Sequence, residues 1–176
     1  MLRAYGVNLY LCGHEHGFST TEQNGFRQII AGKSQDYPGW AGVVEHENGS
    51  FLWHAEQIYD KQSPVFSMLK ENAYSLGRQM ARGTLSATPY ADDDDAVEWF
   101  VSAFMLLESG DLTPDKSARL LADENCQKLR LVETRTVVKN WILSMLENTP
   151  EDVRHISIPA SRKHNVELPD SSFEKH

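Results

Sequence analysis

The chain has 176 residues, of which 40% are hydrophobic and 24% charged, and this balance excludes an intrinsically disordered protein. The formal net charge of −8 argues against passive binding of nucleic-acid backbones, so nucleic acid is retained only as a substrate class. No apolar run approaches the ~20 residues of a membrane span, and the sequence opens without the pattern of a secretory signal. With two cysteines, Cys12 and Cys126, we expect a reduced, cytoplasmic protein that does not contact a membrane.

The N-terminal part of the chain has the pattern of short β-strands separated by turns. Residues 7–12 form a nearly continuous apolar run, which is typical of a strand buried on both faces. Asn24-Gly25 and Asn48-Gly49 are signals for tight hairpin turns. Strands are therefore predicted at residues 7–12, 26–31, 41–46 and 50–59.

From about residue 63 the periodicity becomes helical. Ser63-Pro64 and Thr113-Pro114 each place a capping residue before a proline, as at the start of a helix. The four aspartates at 92–95 suit another helix start, because acidic side chains complement the helix dipole there, and cation binding is the alternative. Helices are therefore predicted at residues 63–83, 92–110, 113–123 and 125–146.

These patterns predict the α+β class and divide the chain into three parts. Residues 1–60 form the β-sheet portion, residues 61–155 a helical, bundle-like C-terminal domain, and residues 156–176 a polar flexible tail. Within the helical part, the aromatic residues at helical spacing are predicted to belong to the core, namely Trp99, Phe100, Phe104 and Trp141. The sequence of this part does not indicate whether it caps a cleft, selects substrates or forms a dimer.

A pair of histidines follows the first apolar run. Gly13 allows a tight turn, and in an extended segment His14 and His16 point to the same side. Neutral imidazole is a common ligand of divalent transition metals, and clefts at the carboxyl ends of strands often hold ligands. We therefore predict His14 and His16 as metal ligands, with a polar turn as the alternative. The other five histidines are interpreted as ordinary surface or half-buried side chains, with a third metal ligand as the alternative: His46, His54, His155, His164 and His176.

The stretch GVNLYLCGHEHG resembles the final metal-binding motif of the calcineurin-like metallophosphoesterase family, with Gly13 as its motif glycine. The following GFRQIIAGK and WAGVVEHENGSFLWHAEQIY are similar to the closing strands of that fold, so the resemblance covers about residues 4–60. It implies the C-terminal sheet portion of a four-layer α/β/β/α sandwich that hydrolyses phosphate mono- or diesters. It also implies two divalent metal ions (manganese, iron or zinc), one ligated by His14 and the other by His16.

The family's other ligand motifs do not occur in this sequence. They precede the final motif in the family and comprise an Asp-x-His, a Gly-Asp-x-x-Asp, an Asn-His-Asp or Asn-His-Glu, and a further histidine. Two histidines, one for each ion, would hold neither metal tightly, because catalytic zinc sites use about three protein ligands. We therefore expect a C-terminal fragment of a metal-dependent phosphoesterase that is inactive without its N-terminal half.

The expected partners are a phosphate-ester substrate in the complete enzyme and either an N-terminal complement chain or a second copy of this chain. An unpaired sheet edge favours such association. The alternative function is a non-catalytic protein-interaction or assembly module, in which the sheet remnant is structural and the helices contact a partner. The sequence assigns no catalytic residue under either interpretation.

Overall fold

A computed structural model describes residues 7–12, 19–32, 34–86, 88–132, 137–149 and 153–159. Within these ranges the chain is a mixed α+β protein with two three-stranded sheets and five helices, in agreement with the predicted class. The strands are β1 (Leu9–Cys12), β2 (Ser19–Gln23), β3 (Phe26–Ile30), β4 (Trp40–Glu47), β5 (Ser50–Gln57) and β6 (His155–Pro159). The helices are α1 (Pro64–Leu85), α2 (Asp94–Glu108), α3 (Pro114–Ala122), α4 (Glu124–Leu131) and α5 (Val137–Glu147).

The first sheet has the strand order β1-β3-β2. β1 runs parallel to β3, whereas β2 and β3 form an antiparallel hairpin. Asn24 and Gly25 connect the hairpin with φ values of 55° and 76°, the positive angles that a two-residue type I′ turn requires. The predicted turn is thus confirmed, and it fixes the register in which Gln23 lies opposite Phe26.

The predicted burial of the first apolar run on both faces is wrong for the described structure. Tyr10 and Leu11, on opposite faces of β1, are 46% and 45% exposed. The reason is that β1 lies at the edge of its sheet and pairs, among the described strands, with β3 alone. An apolar strand sequence therefore occupies a position that is usually polar or protected.

The second sheet is antiparallel and has the order β4-β5-β6. Asn48 and Gly49 join β4 to β5 with φ values of 49° and 76°, which confirms the second predicted hairpin. Trp53 on β5 is 2% exposed and forms the centre of a small apolar core between the sheets. Its ring covers β4 at Gly42, where an added Cβ would lie 2.0 Å from Trp53 Cη2.

β6 corrects the prediction of a polar tail that begins at residue 156. Ile156 and Ile158 alternate with an exposed serine and are 5% and 4% exposed in the core beside Trp53. The Trp53 Nε1 donates a hydrogen bond to the Val153 carbonyl at 3.3 Å. In the sequence, the helical region is therefore inserted between β5 and β6, which are neighbouring strands of one sheet. Residues 160–176 of the expected tail lie outside the described residues.

A larger apolar core holds the helices together. Phe100 on α2 is 1% exposed, and Ile142 on α5 and Cys126 on α4 are fully buried beside it. α1 and α2 approach closely at Gly77, because a Cβ there would lie 2.9 Å from Phe104 Cδ1. No helix in the described part of the chain is long and apolar enough to cross a membrane.

The single helix predicted at residues 125–146 is wrong. The structure has α4 and α5 in its place, and Val132 at the end of α4 is extended, with φ −65° and ψ 111°. The carbonyl of Val132 accepts a hydrogen bond from the Lys139 ammonium group. Val132 is β-branched, and such residues lose side-chain freedom in a helix, which lowers the stability of the helix at this position.

The described residues include two polar contacts between the second sheet and the helical region. Trp40 Nε1 on β4 donates to the carbonyl of Ser109 at 3.1 Å. Arg154 Nη1, just before β6, donates to Asp111 Oδ1 at 2.8 Å. Both acceptors lie just after the end of α2, so this end of the helix contacts the sheet.

The aspartates at 92–95 act as a helix start, which confirms the capping interpretation. Asp93 Oδ1 accepts a hydrogen bond from the Ala96 backbone N–H at 3.0 Å. Its Oδ2 lies 2.8 Å from Lys128 Nζ, so the same carboxylate also joins α2 to α4. The caps predicted at Ser63 and Thr113 are present as well.

We expect Asp93→Ala to lower the melting temperature at neutral pH by more than Asp92→Ala, an exposed neighbour. The hydrogen bond from Lys128, followed by that from the Ala96 N–H, lowers the pKa of Asp93. The carboxylate therefore stabilises the fold above its unfolded pKa of about 3.9, and this stabilisation is lost as the pH falls through the folded pKa. Thermal melts across this pH range should show that the difference in melting temperature between wild type and Asp93→Ala becomes smaller as the pH falls. A difference that does not change with pH would contradict this assignment.

Candidate functional site

Two described strands bracket the segment that carries the histidine pair. β1 ends at Cys12 and β2 begins at Ser19, and both residues are level with Ile30 at the end of β3. The two ends of the connecting segment therefore lie at the same end of the sheet, one on each side of β3. The three candidate residues themselves lie outside the described residues: Gly13, His14 and His16.

Cys12 fastens the end of β1 to β3. Its Sγ accepts a hydrogen bond from Gln28 Nε2 at 3.2 Å and lies 3.7 Å from the Ile29 carbonyl oxygen. On the backbone, the Cys12 carbonyl accepts from the Ala31 N–H at 3.0 Å. The half-buried thiol is thus a packing and hydrogen-bonding group at the point where the histidine segment begins.

The histidines of the second sheet behave as ordinary strand side chains. His46 is exposed and its ring centroid lies 5.2 Å from that of Phe51. His54 is half-buried, with Nε2 3.2 Å from Glu56 Oε1 and Nδ1 3.8 Å from Glu45 Oε2. Both agree with the interpretation of these histidines as surface or half-buried groups. His155 is exposed on β6, and His164 and His176 lie outside the described residues.

The described residues do not complete a two-metal centre. Among them, no group of three or more His, Cys, Asp or Glu side chains is arranged to hold a metal ion. His14 and His16 would supply one imidazole to each ion, well short of the about three protein ligands of a catalytic zinc. A working centre would therefore need ligands beyond those in the described ranges.

A second candidate site is a cavity of about 380 Å³ in the helical region, called the helical cavity below. Its volume lies near the lower end of the roughly 300 to 1,000 Å³ typical of small-molecule pockets. Leu69, Ala73 and Met80 of α1 form one wall, and Val138 and Trp141 of α5 face them. The sequence patterns do not predict this cavity.

α2 and the loop before β4 also contribute to the described lining of the helical cavity. Phe104 of α2 lines it and meets the Trp141 ring edge to face, with ring centroids 6.4 Å apart. One turn later Glu108 also lines it, although this side chain is only 7% exposed. Asp36 and Tyr37 enter from the loop. A buried acid thus sits among aromatic and aliphatic walls.

The described lining of the helical cavity includes acidic side chains and a phenol. Two carboxylates, those of Asp36 and Glu108, belong to its lining, and none of its described lining residues is Lys, Arg or His. Burial, followed by the negative charge of Asp111, raises the pKa of Tyr37, so this phenol stays protonated as a hydrogen-bond donor at neutral pH.

Two features of the sequence concern residues of this lining, although neither predicts a cavity. Helical spacing predicts Leu69, Leu76 and Met80 on the apolar stripe of α1. All three side chains line the cavity, and Leu76 is 45% exposed instead of being buried in a core. Glu108 follows Phe104 by four residues, so an acid continues the apolar face of α2. A charge on a core-facing stripe indicates a functional site or a buried ion pair.

Comparisons with known proteins add no relative. A scan against protein-family models finds no match, and no curated protein matches the chain. The likeness of residues 4–60 to metallophosphoesterases therefore stays a prediction from the motif and its neighbouring strands.

Proposed function

We propose that this chain supplies the final metal-binding segment of a two-metal phosphoesterase that hydrolyses phosphate mono- or diesters. Its two sheets would be the C-terminal part of a four-layer α/β/β/α sandwich. His14 and His16 would each ligate one of two divalent ions, manganese, iron or zinc. The remaining ligands would come from an N-terminal complement, so the chain alone would bind metal weakly and would not turn over substrate.

The observation that supports this proposal is the position of Cys12 and Ser19 at one end of the first sheet. β1 and β3 are parallel, so both of their carboxyl ends lie at this end. In open α/β sheets, ligands bind in crevices outside the carboxyl ends of strands. A six-residue segment with two histidines that starts and ends here is suited to reach such a crevice.

The exposed side chains of β1 support the involvement of a complement. A strand that is apolar on both faces is typical of the interior of a covered parallel sheet. Tyr10 and Leu11 have this pattern, yet they lie about half exposed on an edge strand. A further strand beside β1, with elements packed on both faces of the sheet, would cover both residues. The same exposure also favours the alternative function, an assembly module without catalysis.

We expect the purified chain to bind Mn²⁺ weakly. The double variant His14→Ala/His16→Ala should bind it at least about tenfold more weakly still, because even the loss of an outer-shell partner of a metal ligand typically costs about 10- to 100-fold in affinity. Isothermal titration calorimetry measures this directly. The matched control is His46→Ala, which removes an exposed imidazole from β4 and should leave metal affinity unchanged.

The same measurements can contradict the proposed metal site. If wild type and the double variant bind Mn²⁺ equally, the histidine pair is not a metal site, and the assembly module becomes the better interpretation. Hydrolysis of bis(nitrophenyl) phosphate with Mn²⁺ is the second readout. A rate above background that is lost in the double variant would contradict the need for a complement, although it would support phosphoesterase chemistry.

A further inference from the structure

We propose that Asn24 is a site of spontaneous deamidation, which converts the tip of the β2–β3 hairpin to isoaspartate faster than it converts the tip of the β4–β5 hairpin at Asn48. Both asparagines precede a glycine in a tight turn. The reaction consumes only water, so it does not depend on the proposed phosphoesterase function. Its product loosens β2, the strand that follows the histidine segment.

The reaction joins the side chain of the asparagine to the backbone of the next residue. The backbone nitrogen of the glycine attacks the side-chain carbonyl carbon, a C–N bond forms, and the side-chain nitrogen leaves as ammonia. The proton of the glycine N–H passes through water to the departing ammonia, and the product is a cyclic succinimide. Water then opens this ring. Attack at the former backbone carbonyl gives isoaspartate, whose main chain is longer by one methylene group, and attack at the other carbonyl gives aspartate.

The surroundings of both turns leave room for this attack. Asn24 and Asn48 are exposed, and in the described part of the chain no hydrogen bond holds either side-chain amide. A Cβ added at Gly25 or Gly49 would have no atom within 4 Å, so nothing crowds the attacking nitrogen. Asn72 is exposed as well, but the residue after it has a side chain and lies inside α1. The two turns are therefore the reactive positions among these three.

The folded turns slow the reaction. The backbone of each asparagine is fixed in the left-handed region, with φ 55° at Asn24 and 49° at Asn48. Ring closure brings the glycine nitrogen onto the asparagine side chain, and this needs a rotation of the backbone that the paired strands prevent. The reaction therefore proceeds from locally opened states, and its rate follows the population of those states.

The β2–β3 hairpin has little to keep it closed. β2 has five residues, and the three nearest the turn are exposed. Among the described strands β2 pairs with β3 alone, so it can separate from one side of the sheet. Beside the turn, Arg27 forms an ion pair with Glu22, but both side chains are partly exposed, and such pairs contribute little to stability.

The β4–β5 hairpin is held more firmly. Its strands have eight residues each, and Trp53, which is 2% exposed, covers β4 at Gly42. Close to the turn, the ring of His46 lies 5.2 Å from that of Phe51, measured between centroids. Opening this hairpin exposes buried apolar surface, whereas opening of β2 exposes mainly polar residues. We therefore expect Asn24 to convert faster than Asn48.

Isoaspartate at position 24 changes the turn that sets the register of β2. The added methylene group lengthens the main chain between Gln23 and Phe26, which lie opposite each other in the native hairpin. A tight two-residue turn cannot hold the extra atom and keep this pairing. β2 begins at Ser19, where the histidine segment ends, so the loss of its pairing with β3 releases that end of the segment.

The test follows both sites in one sample of the full chain, kept at mildly alkaline pH. Tryptic peptides of residues 4–27 and 34–61 separate Asn24 from Asn48, and fragment ions in mass spectrometry locate the deamidated residue. An isoaspartate-specific methyltransferase identifies the product. We expect Asn24 to convert about tenfold faster than Asn48, which corresponds to a difference of about 1.4 kcal/mol in opening free energy.

The same incubation in concentrated urea is the control for the role of the fold. Unfolding removes the protection of both hairpins, so the two sites should then react at similar rates, each faster than in the native chain. Equal rates in the native chain, faster conversion of Asn48, or a preference for Asn24 that persists unchanged in urea would each overturn the proposal.

Two variants separate the effect of the longer main chain from that of the new charge. Asn24→Asp adds the negative charge alone, and aspartate tolerates the left-handed conformation of the turn. We expect aged wild type to lose hydrogen-exchange protection in β2, whereas fresh Asn24→Asp keeps it. Asn48→Asp is the matched control and should leave the conversion of Asn24 unchanged. Equal loss in Asn24→Asp would contradict the role of the added methylene group. If this variant does not fold, the comparison of aged with fresh wild type decides whether β2 is loosened.

Discussion

Replacement of Trp53 by alanine is expected to lower the free energy of unfolding by about 3 to 5 kcal/mol, the usual cost of truncating a buried tryptophan or phenylalanine. Trp53 is 2% exposed, and its ring fills the space over Gly42. The variant also leaves the Val153 carbonyl without the indole N–H that bonds to it at 3.3 Å. Urea denaturation followed by circular dichroism measures the loss.

Leu52→Ala is the matched control for this prediction. Leu52 neighbours Trp53 on β5 but points to the opposite face, where it is 38% exposed. Its truncation should cost far less than that of Trp53. Similar losses at the two positions would contradict the assignment of Trp53 as the centre of the sheet core.

The second large effect is expected at Phe100. This residue is 1% exposed in the helical core, so Phe100→Ala should also lower the free energy of unfolding by about 3 to 5 kcal/mol. The loss has two sources, the transfer of the ring to water and the cavity left among helices that relax only in part. Urea denaturation monitored at a helix-sensitive wavelength gives the value.

Val65→Ala serves as the control on the helical side. Val65 lies in the first turn of α1 and is 43% exposed, so its truncation should fall within about 0.5 kcal/mol of wild type. Hydrogen exchange on the Phe100→Ala variant adds a second readout. Trp40 and Arg154 form hydrogen bonds that join the second sheet to the end of α2. The protection of backbone amides against exchange should therefore fall in β4 and β6 as well as in the helices. Loss confined to the helices would show that the two cores unfold separately.

The features that the sequence predicted well are those set by neighbouring residues. Asn24-Gly25 and Asn48-Gly49 form tight turns because asparagine and glycine tolerate the positive φ that the turns need. Ser63 and Asp93 cap helices because their side chains accept hydrogen bonds from N–H groups a few residues ahead. These interactions depend on short sequence separations, which a single chain displays directly.

The errors concern features that depend on distant parts of the chain. Ile156 and Ile158 alternate like a strand, but their burial depends on Trp53, which no local pattern reveals. The exposure of Tyr10 likewise depends on which strands flank β1 rather than on its own sequence. The sequence of β1 has the apolar pattern of an interior strand, whereas the order of the described strands places β1 at the edge of its sheet.

The candidate sites differ in the same way. A motif predicted His14 and His16, since metal ligands follow a spacing that is visible in the sequence. The helical cavity arises from how α1, α2 and α5 pack, with the close approach at Gly77 on one side and Trp141 on the other. Its apolar lining has the same residue types as a filled core, so only the placement of Glu108 distinguishes it in the sequence.

The return of the chain to β5 has a consequence for the order of folding. Trp53 and Val153 are 100 residues apart, so β5 and β6 can pair only after the whole intervening helical segment has left the ribosome. Closing a loop of this length costs entropy before the contact stabilises the chain, which makes this pairing late. Until then the indole of Trp53 lacks its contacts with the β6 side chains Ile156 and Ile158. The nascent chain therefore passes through a stage with an exposed apolar sheet face, when chaperone binding or misassembly competes with folding.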